Sequence, residues 1–262
     1  MADYTIFMPV YQTKRTSFLK FLAAETLTSH TEYGIVKNMK LSVNGTTLFY
    51  ERVGTGAPLI LLHGNGESHG IFSALIPPLS EQFTVYAVDT RGHGKSAPVS
   101  AFHYADMAED IAQLIAALSL DQPAVYGFSD GGITALLLAL RSPELLSRIA
   151  VSGANLCPHG LTAAFLRSAR REYRETKSPL LRLMLEEPHI APRELASVRI
   201  PVLVTAGERD LVRERHTRAI ARALPRSVLK ILKGETHESY VVHSAKLAPF
   251  LIPFFSGEDC RC

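Results

Sequence analysis

One short stretch of the chain carries residue types that could form a nucleophile. Ser129 stands two residues from Gly127 and two residues from Gly131, after the apolar run 124–126 and before the apolar run 133–140. A serine at a sharp turn from strand to helix has a strained backbone, so the residues two positions away must be small. The Gly-x-Ser-x-Gly pattern in this context is typical of a nucleophile held at such a turn, and a plain glycine-rich turn is the alternative interpretation.

A serine nucleophile needs a base and a carboxylate elsewhere in the chain. Histidine is the usual base because its pKa lies near neutrality, and a carboxylate must hold the imidazole in the correct tautomer. Ligands bind beyond the carboxyl ends of the strands in an open parallel sheet, so residues that follow predicted strands are the candidates. Asp210 follows the predicted strand 202–205, and His237 follows the predicted strand 228–232. We therefore predict Ser129, Asp210 and His237 as catalytic residues; the alternatives are an Asp210 that only caps a loop or helix and a solvated His237.

Acyl transfer also needs backbone N–H groups aimed at the negative charge that develops on the substrate oxygen. The residue after the nucleophile, Asp130, supplies one such group in a turn of this kind. The glycine-containing loop 63–66 follows the predicted strand 59–62 and is the expected source of the second group. We predict an oxyanion hole formed by the N–H groups of Asn65 and Asp130, with His63 as a structural hydrogen-bonding residue beneath the loop.

The elements that must position these residues alternate between strand and helix. Asn44-Gly45 is the preferred two-residue turn of a β-hairpin, here predicted over residues 40–53. The continuous apolar run 59–62 is typical of a strand buried on both faces, and residues 104–118 show apolar positions at helical spacing. The alternation predicts an α/β fold with a mostly parallel, twisted sheet flanked by helices.

A segment rich in arginine, glutamate and proline interrupts this alternation after the nucleophile turn. We interpret the segment as a short helical lid inserted into the α/β core. The predicted organisation is an N-terminal extension, a core in two parts, a helical lid and a C-terminal tail, which cover residues 1–38, residues 39–154 and 198–256, residues 155–197, and residues 257–262, respectively.

The composition predicts a single soluble globular unit. The chain has 262 residues, of which 47% are hydrophobic and 20% charged, with a formal net charge of +3. This small, unclustered charge does not favour a nucleic-acid partner, and no apolar run approaches the roughly 20 residues of a membrane span. The apolar stretch 18–24 is interrupted by Lys20, which argues against a secretory signal and favours a cytoplasmic location. We expect no metal ion or other cofactor, no nucleic-acid partner and no membrane partner, and the oligomeric state is left open.

Five segments together resemble the α/β-hydrolase superfamily in their order and spacing. They are residues 63–66, 89–96, 127–132, 207–210 and 236–237. The resemblance covers roughly residues 40–255 and implies the α/β-hydrolase fold, with its chain order of nucleophile, acid and base at Ser129, Asp210 and His237. Haloalkane dehalogenases and epoxide hydrolases resemble this layout but carry aspartate as the nucleophile, so Ser129 argues against both.

Residues 129–136 and 153–155 are more narrowly similar to the valacyclovir-hydrolase (biphenyl-hydrolase-like) branch. In that branch the aspartate after the nucleophile recognises the α-amino group of the substrate. The resemblance therefore implies that Asp130 binds substrate and that an amino-acid ester is a candidate substrate. A purely structural Asp130 side chain is the alternative.

The predicted lid carries a group of arginines interleaved with glutamates. A solvated helical face with ion pairs is the expected explanation, and an arginine that binds an acidic substrate is the alternative. The arginines are Arg167, Arg170, Arg171, Arg174 and Arg182.

The predicted function is hydrolysis of small carboxylic esters through an acyl-enzyme intermediate on Ser129, so the expected partner is a small-molecule ester. One alternative is a carbon–carbon bond hydrolase of the same fold, which uses similar groups. Another is a non-catalytic ligand receptor that retains the three residues for binding.

Overall fold

A nine-stranded sheet forms the centre of the computed structural model, which describes residues 27–31 and 34–258. In chain order the strands are β1 Leu27–Thr31, β2 Gly34–Val43, β3 Thr46–Val53, β4 Ala57–Leu62, β5 Phe83–Asp89, β6 Ala124–Phe128, β7 Ile149–Ser152, β8 Val202–Arg209 and β9 Ser227–Thr236. Across the sheet their order is β1-β2-β3-β5-β4-β6-β7-β8-β9. The pairs from β1 to β3 and the β3–β5 pair are antiparallel, and all pairs from β5 to β9 are parallel. The prediction of a mostly parallel sheet is confirmed.

Helices cover both faces of this sheet. They are α1 Ile76–Ser80, α2 Tyr104–Ala117, α3 Asp130–Arg141, α4 Ala163–Thr176, α5 Pro179–Glu186, α6 Glu214–Ala223 and α7 Ala248–Phe255. Residues of α2, α3 and α6 belong to one buried apolar cluster, whereas residues of α1 and α7 belong to the other. Within residues 27–31 and 34–258, no helix is both long and apolar enough to cross a bilayer.

The central strand β4 shows why the sheet needs helices on both sides. Leu59 and Leu61 lie in one apolar cluster, whereas Ile60 and Leu62 lie in the other. Successive side chains of a strand point to opposite faces, so a continuous apolar run requires two cores. All four side chains are completely buried, and each such burial stabilises the fold by about 1.5–3 kcal/mol.

The first hairpin has the predicted turn but is longer than predicted. Asn44 and Gly45 both have positive φ values, 43° and 73°, which is the geometry that a tight two-residue hairpin turn requires. Pairing continues away from the turn until Lys37 lies opposite Arg52. The sheet therefore includes residues 27–31 and 34–38, which the sequence assigned to an N-terminal extension. The turn dipeptide determines the register, and the residues of β2 beyond Lys37 pair with β1.

The segment between β7 and β8 is largely helical. It contains α4 and α5, which contact each other, and short 3₁₀ turns at Pro158–Gly160 and Pro192–Ser197. Thr162 and Ser178 start the two helices, because each side-chain oxygen accepts a hydrogen bond from a first-turn N–H group. These helices occupy the segment for which a lid was predicted, and their function as a lid stays a prediction.

Candidate active site

Ser129 lies between the end of β6 and the start of α3. Its φ of 52° and ψ of −113° are strained for a residue with a side chain. A Cβ atom on Gly127 would collide with the backbone of Gly131, and a Cβ atom on Gly131 would collide with the carbonyl group of Leu62. Only glycine fits at these two positions, which explains the spacing seen in the sequence.

The structure brings the three predicted side chains into one hydrogen-bonded chain. The Ser129 Oγ atom lies 3.1 Å from Nε2 of His237, and Nδ1 of the same ring lies 2.6 Å from Oδ1 of Asp210. Ser129 follows β6, Asp210 follows β8 and His237 follows β9. The carboxyl ends of these parallel strands meet at one edge of the sheet, so residues far apart in the chain become neighbours.

Two backbone N–H groups hold the carboxylate of Asp210 in position. Val212 N donates a 2.9 Å hydrogen bond to Oδ1, and Gly207 N donates a 3.2 Å hydrogen bond to Oδ2. The carboxylate is therefore fixed by its own loop before it accepts the hydrogen bond from His237. This arrangement orients the imidazole and favours the tautomer whose Nε2 atom can accept the serine proton.

Gly153 makes room for the imidazole, a role that was not predicted from the sequence. Its φ is +60°, and a Cβ atom there would lie 2.6 Å from Cε1 of His237. The ring also packs against Phe128, with the two ring centroids 4.9 Å apart. The backbone at Gly153 and one aromatic side chain therefore both contact the imidazole.

The two predicted oxyanion donors come from the loop after β4 and from the start of α3. Within the described residues the N–H group of Asn65 has no hydrogen-bond acceptor. Asp130 is the first residue of α3, so its N–H group has no acceptor within the helix. Both residues line the same cavity as Ser129. Two free N–H donors therefore lie beside the hydroxyl group.

The side chain of Asp130 is buried and accepts two hydrogen bonds. Tyr104 OH donates to Oδ1 at 2.7 Å, and Asn65 Nδ2 donates to Oδ2 at 2.8 Å. Burial raises the pKa of Asp130, and these two hydrogen bonds oppose that rise because they stabilise the ionised form. Sequence analysis missed Tyr104, which lies at the start of α2 and has no motif around it.

His63 is buried at the start of the loop 63–66. Its Nδ1 atom lies 2.7 Å from the Gly64 carbonyl oxygen, and Thr90 N donates a 3.0 Å hydrogen bond to Nε2. Burial lowers the pKa of His63 to about 4. The ring is therefore neutral near pH 7 and fixes the loop through two backbone groups.

A cavity of about 150 Å³ lies above the nucleophile and has both apolar and acidic walls. Phe165 of α4 and Met184 of α5 contribute to the apolar wall, together with Leu161 and Leu211. No Lys or Arg is among the described residues that line this cavity. The acidic residues in its wall are Glu67, Asp130, Glu187 and Glu238.

Glu187 joins the end of α5 to the start of α2. One carboxylate oxygen lies 2.6 Å from Nδ1 of His103, and the other accepts a 3.2 Å hydrogen bond from Tyr104 N. The helical segment above the cavity is therefore fastened to the same residue, Tyr104, whose hydroxyl group supports Asp130.

The arginines of the predicted lid do not line this cavity. Of the five arginines singled out in the predicted lid, only Arg182 forms an ion pair within the described structure, at 2.9 Å from Glu186. The expectation of a face stabilised by ion pairs is correct for that residue alone. The other four are exposed on α4, namely Arg167, Arg170, Arg171 and Arg174.

Comparison with known proteins relates this geometry to one family. A family model described as the alpha/beta hydrolase fold matches residues 57–189, just over half of the chain. The human serine hydrolase BPHL is 28% identical over 240 residues, which cover 79% of this chain and 82% of that protein. A soluble epoxide hydrolase from Corynebacterium sp. (strain C12) is 39% identical over 108 residues, which span 41% of this chain and only 38% of that protein.

A solved structure shows the same fold over a longer range. The carboxylesterase CesB from Bacillus subtilis superimposes with a TM-score of 0.73, covering 85% of this chain and 92% of that one at 22% identity. The strand order, the strained serine between β6 and α3 and the family match agree with one another. The chain belongs to the α/β-hydrolase fold family.

Proposed function

We propose that this chain hydrolyses small carboxylic esters through an acyl-enzyme intermediate on Ser129. The observation that supports the proposal is the continuous hydrogen-bonded chain from Ser129 through His237 to Asp210 at the floor of a cavity. Each partner has the chemistry that serine-dependent acyl transfer needs. The similarity to BPHL, which is named a serine hydrolase, also supports a serine nucleophile.

The first half of the reaction forms the acyl-enzyme. The Ser129 hydroxyl oxygen attacks the acyl carbon while Nε2 of His237 takes the hydroxyl proton, and Asp210 stabilises the resulting imidazolium. The carbonyl oxygen becomes an oxyanion that accepts hydrogen bonds from the N–H groups of Asn65 and Asp130. When the tetrahedral intermediate collapses, His237 returns the proton to the leaving alcohol oxygen.

The second half releases the acid. Water enters the vacated alcohol position and gives a proton to His237 as its oxygen attacks the acyl carbon. Collapse of the second tetrahedral intermediate breaks the bond to Ser129, whose oxygen takes the proton back. The free enzyme and a carboxylic acid result, and no other reactant is consumed.

We also propose that esters with an α-ammonium group are preferred substrates. The Asp130 carboxylate is held by two uncharged donors, Tyr104 and Asn65, so no cation neutralises it within the described structure. The other charged side chains of the cavity wall are also acidic. A substrate ammonium group beside Asp130 would form an ion pair with the buried carboxylate and would offset the free-energy cost of burying its negative charge. These contacts favour a cationic substrate over the acidic substrate considered for the lid arginines.

Hydrolysis of a short-chain nitrophenyl ester tests the reaction. We expect turnover by the wild-type protein and a fall of about three orders of magnitude or more in kcat for Ser129→Ala. A fluorophosphonate probe followed by mass spectrometry should label Ser129 in the wild-type protein. Equal turnover by the alanine variant would reject Ser129 as the nucleophile. Labelling with only a single turnover would favour the receptor alternative.

A further inference from the structure

Glu67 is an acidic residue of the cavity wall that takes no part in the steps above. It is the last residue of the turn 64–67, which contains the predicted oxyanion donor Asn65. Its carboxylate oxygen Oε2 accepts a 2.8 Å hydrogen bond from Gly64 N, and its own N–H group donates a 3.3 Å hydrogen bond to the Gly64 carbonyl oxygen. The side chain and the main chain of Glu67 therefore both bind the first residue of the turn.

The hydrogen bonds of this turn leave one N–H group free. Gly64 N donates to Glu67, Glu67 N donates to Gly64, and Gly66 N donates to Nε2 of His93 at 3.1 Å. Of the four N–H groups of residues 64–67, only that of Asn65 has no acceptor in the described structure. Gly66, with a φ of +71°, permits the tight turn that produces this arrangement.

The turn lies directly against the nucleophile. A Cβ atom added to Gly64 would lie 2.6 Å from Oε2 of Glu67 and 3.2 Å from Cβ of Ser129. Gly64 thus packs closely against both the carboxylate of Glu67 and Ser129. A change in the position of that carboxylate would move the peptide groups beside Ser129.

The position of Glu67 is unfavourable for a carboxylate that has only a structural role. Burial raises its pKa to about 7, the Gly64 hydrogen bond lowers it, and the nearby Glu238 raises it further. No Lys or Arg forms an ion pair with it among the described residues. Burial without a cationic partner disfavours the ionised form of Glu67. A carboxyl group that occupies a cleft despite this free-energy cost indicates a role in the reaction.

We propose that Glu67 is a positioning residue for the oxyanion hole. Its carboxylate binds the Gly64 N–H group and so fixes the peptide that presents the Asn65 N–H group to the reacting oxygen. Glu67 acts through Gly64 and does not touch the reacting atoms. This inference rests on the proposed function, because it assigns one source of oxyanion stabilisation in that reaction.

Three substitutions of Glu67 test separately the effects of its hydrogen-bond acceptor, its charge and its volume. Glu67→Gln keeps an oxygen acceptor at the same length, Glu67→Met keeps the volume without an acceptor, and Glu67→Ala removes both. For each variant, kcat and KM would be measured with a short-chain nitrophenyl ester. The affinity for an alkyl trifluoromethyl ketone would also be measured, because its serine adduct carries an oxyanion.

We expect kcat to fall about 10–100-fold in the Met and Ala variants, with KM changed less than about threefold, because the lost interaction matters mainly in the transition state. The affinity for the ketone should fall by a similar factor. The Gln variant should stay within about fivefold of the wild-type protein in both measurements. Circular dichroism would show that each variant folds, and the Met variant provides the comparison if the Ala variant does not.

Two results would overturn the proposal. One is a Met or Ala variant with wild-type kcat and wild-type affinity for the ketone. The other is a Gln variant as impaired as the Met variant, since negative charge would then matter instead of the hydrogen-bond acceptor. If the wild-type protein neither hydrolyses the ester nor binds the ketone, the proposed function itself fails and the role of Glu67 fails with it.

Discussion

Asn65 donates a side-chain hydrogen bond of 2.8 Å to Asp130, and these are the two residues predicted to form the oxyanion hole. Asn65 follows β4, whereas Asp130 begins α3. Their backbone N–H groups must lie at a defined separation to bind one oxygen atom. The side-chain contact joins the loop after β4 directly to the start of α3, so the separation of the two N–H groups depends on a hydrogen bond as well as on the packing of the sheet.

Replacing Asp130 by Asn should remove the preference for cationic esters. The substitution retains the size of the side chain but removes its charge. We expect kcat/KM for α-amino esters to fall at least about tenfold, and that for matched esters without the amino group to change less than about threefold. The measurement is a paired panel of esters on both proteins.

Glu187→Gln is the matched control for this experiment, because Glu187 is another acidic residue of the same cavity wall. The preference of the Glu187→Gln variant for α-amino esters should stay closer to that of the wild-type protein than the preference of the Asp130→Asn variant does. A wild-type protein that shows no preference for the amino group would disprove the amino-ester proposal and leave ester hydrolysis itself intact.

Gly153→Ala should impair activity through a steric clash with the imidazole. The new methyl group would lie 2.6 Å from Cε1 of His237, and the φ of +60° is strained for alanine. We expect kcat to fall about 100-fold because the base is displaced from Ser129. The measurement is ester turnover together with urea denaturation.

Gly45→Ala provides the control for backbone strain in this comparison. Gly45 also has a positive φ, +73°, but nothing lies within 4 Å of its added Cβ atom. The Gly45→Ala variant should lose about 1 kcal/mol in the free energy of unfolding and retain the wild-type kcat. A similar loss of kcat in both variants would show that strain, and not contact with His237, causes the effect.

Tyr104→Phe should destabilise the fold, because it leaves the buried Asp130 carboxylate with one donor fewer. We expect a loss of about 1–3 kcal/mol in the free energy of unfolding. The raised pKa of Asp130 means that stability is lost as the pH rises through that pKa, and the loss of a donor increases this effect. The variant should therefore be closer to the wild-type protein at a pH below the pKa of Asp130 than at a pH above it.

Tyr86→Phe is the matched control, since no partner for the Tyr86 hydroxyl group occurs in the described structure. Its unfolding free energy should stay within about 0.5 kcal/mol of the wild-type value at both pH values. An equal effect of the two tyrosine substitutions would contradict the assigned role of the Tyr104 hydroxyl group.

Glu67→Gln should stabilise the protein at high pH. The pKa of about 7 means that the folded chain holds this proton more tightly than the unfolded chain does. The associated stability is present below about pH 4 and is lost as the pH rises to about 7. At pH 8 we expect the Gln variant to be about 1–2 kcal/mol more stable than the wild-type protein, after allowance for solvent screening.

Urea denaturation at pH 5 and pH 8 checks this sign. The advantage of the Gln variant should be larger at pH 8 than at pH 5. A constant difference at both pH values would mean that ionisation of Glu67 does not contribute to the change in stability.

The fold and the convergence of Ser129, Asp210 and His237 could be predicted because they follow from local signals. Each residue comes after an apolar strand, and parallel strands end at a common edge. The glycines around Ser129 reflect a backbone collision that any side chain would cause. Patterns of this kind involve residues that lie close together in the sequence.

The supporting contacts could not be predicted because they depend on which distant loops meet. Tyr104 reaches Asp130 only through the packing of α2 beside α3, and Gly153 reaches His237 only across the sheet.

The contact between Glu187 and Tyr104 has a consequence for any movement of α5. Tyr104 N binds the end of that helical segment, while the hydroxyl group of the same residue binds Asp130. Opening the cavity by moving α5 away would therefore strain or release the residue that supports Asp130. Under the proposed mechanism, Tyr104 would link substrate entry to stabilisation of the oxyanion, so we expect changes at the cavity mouth to alter kcat as well as KM.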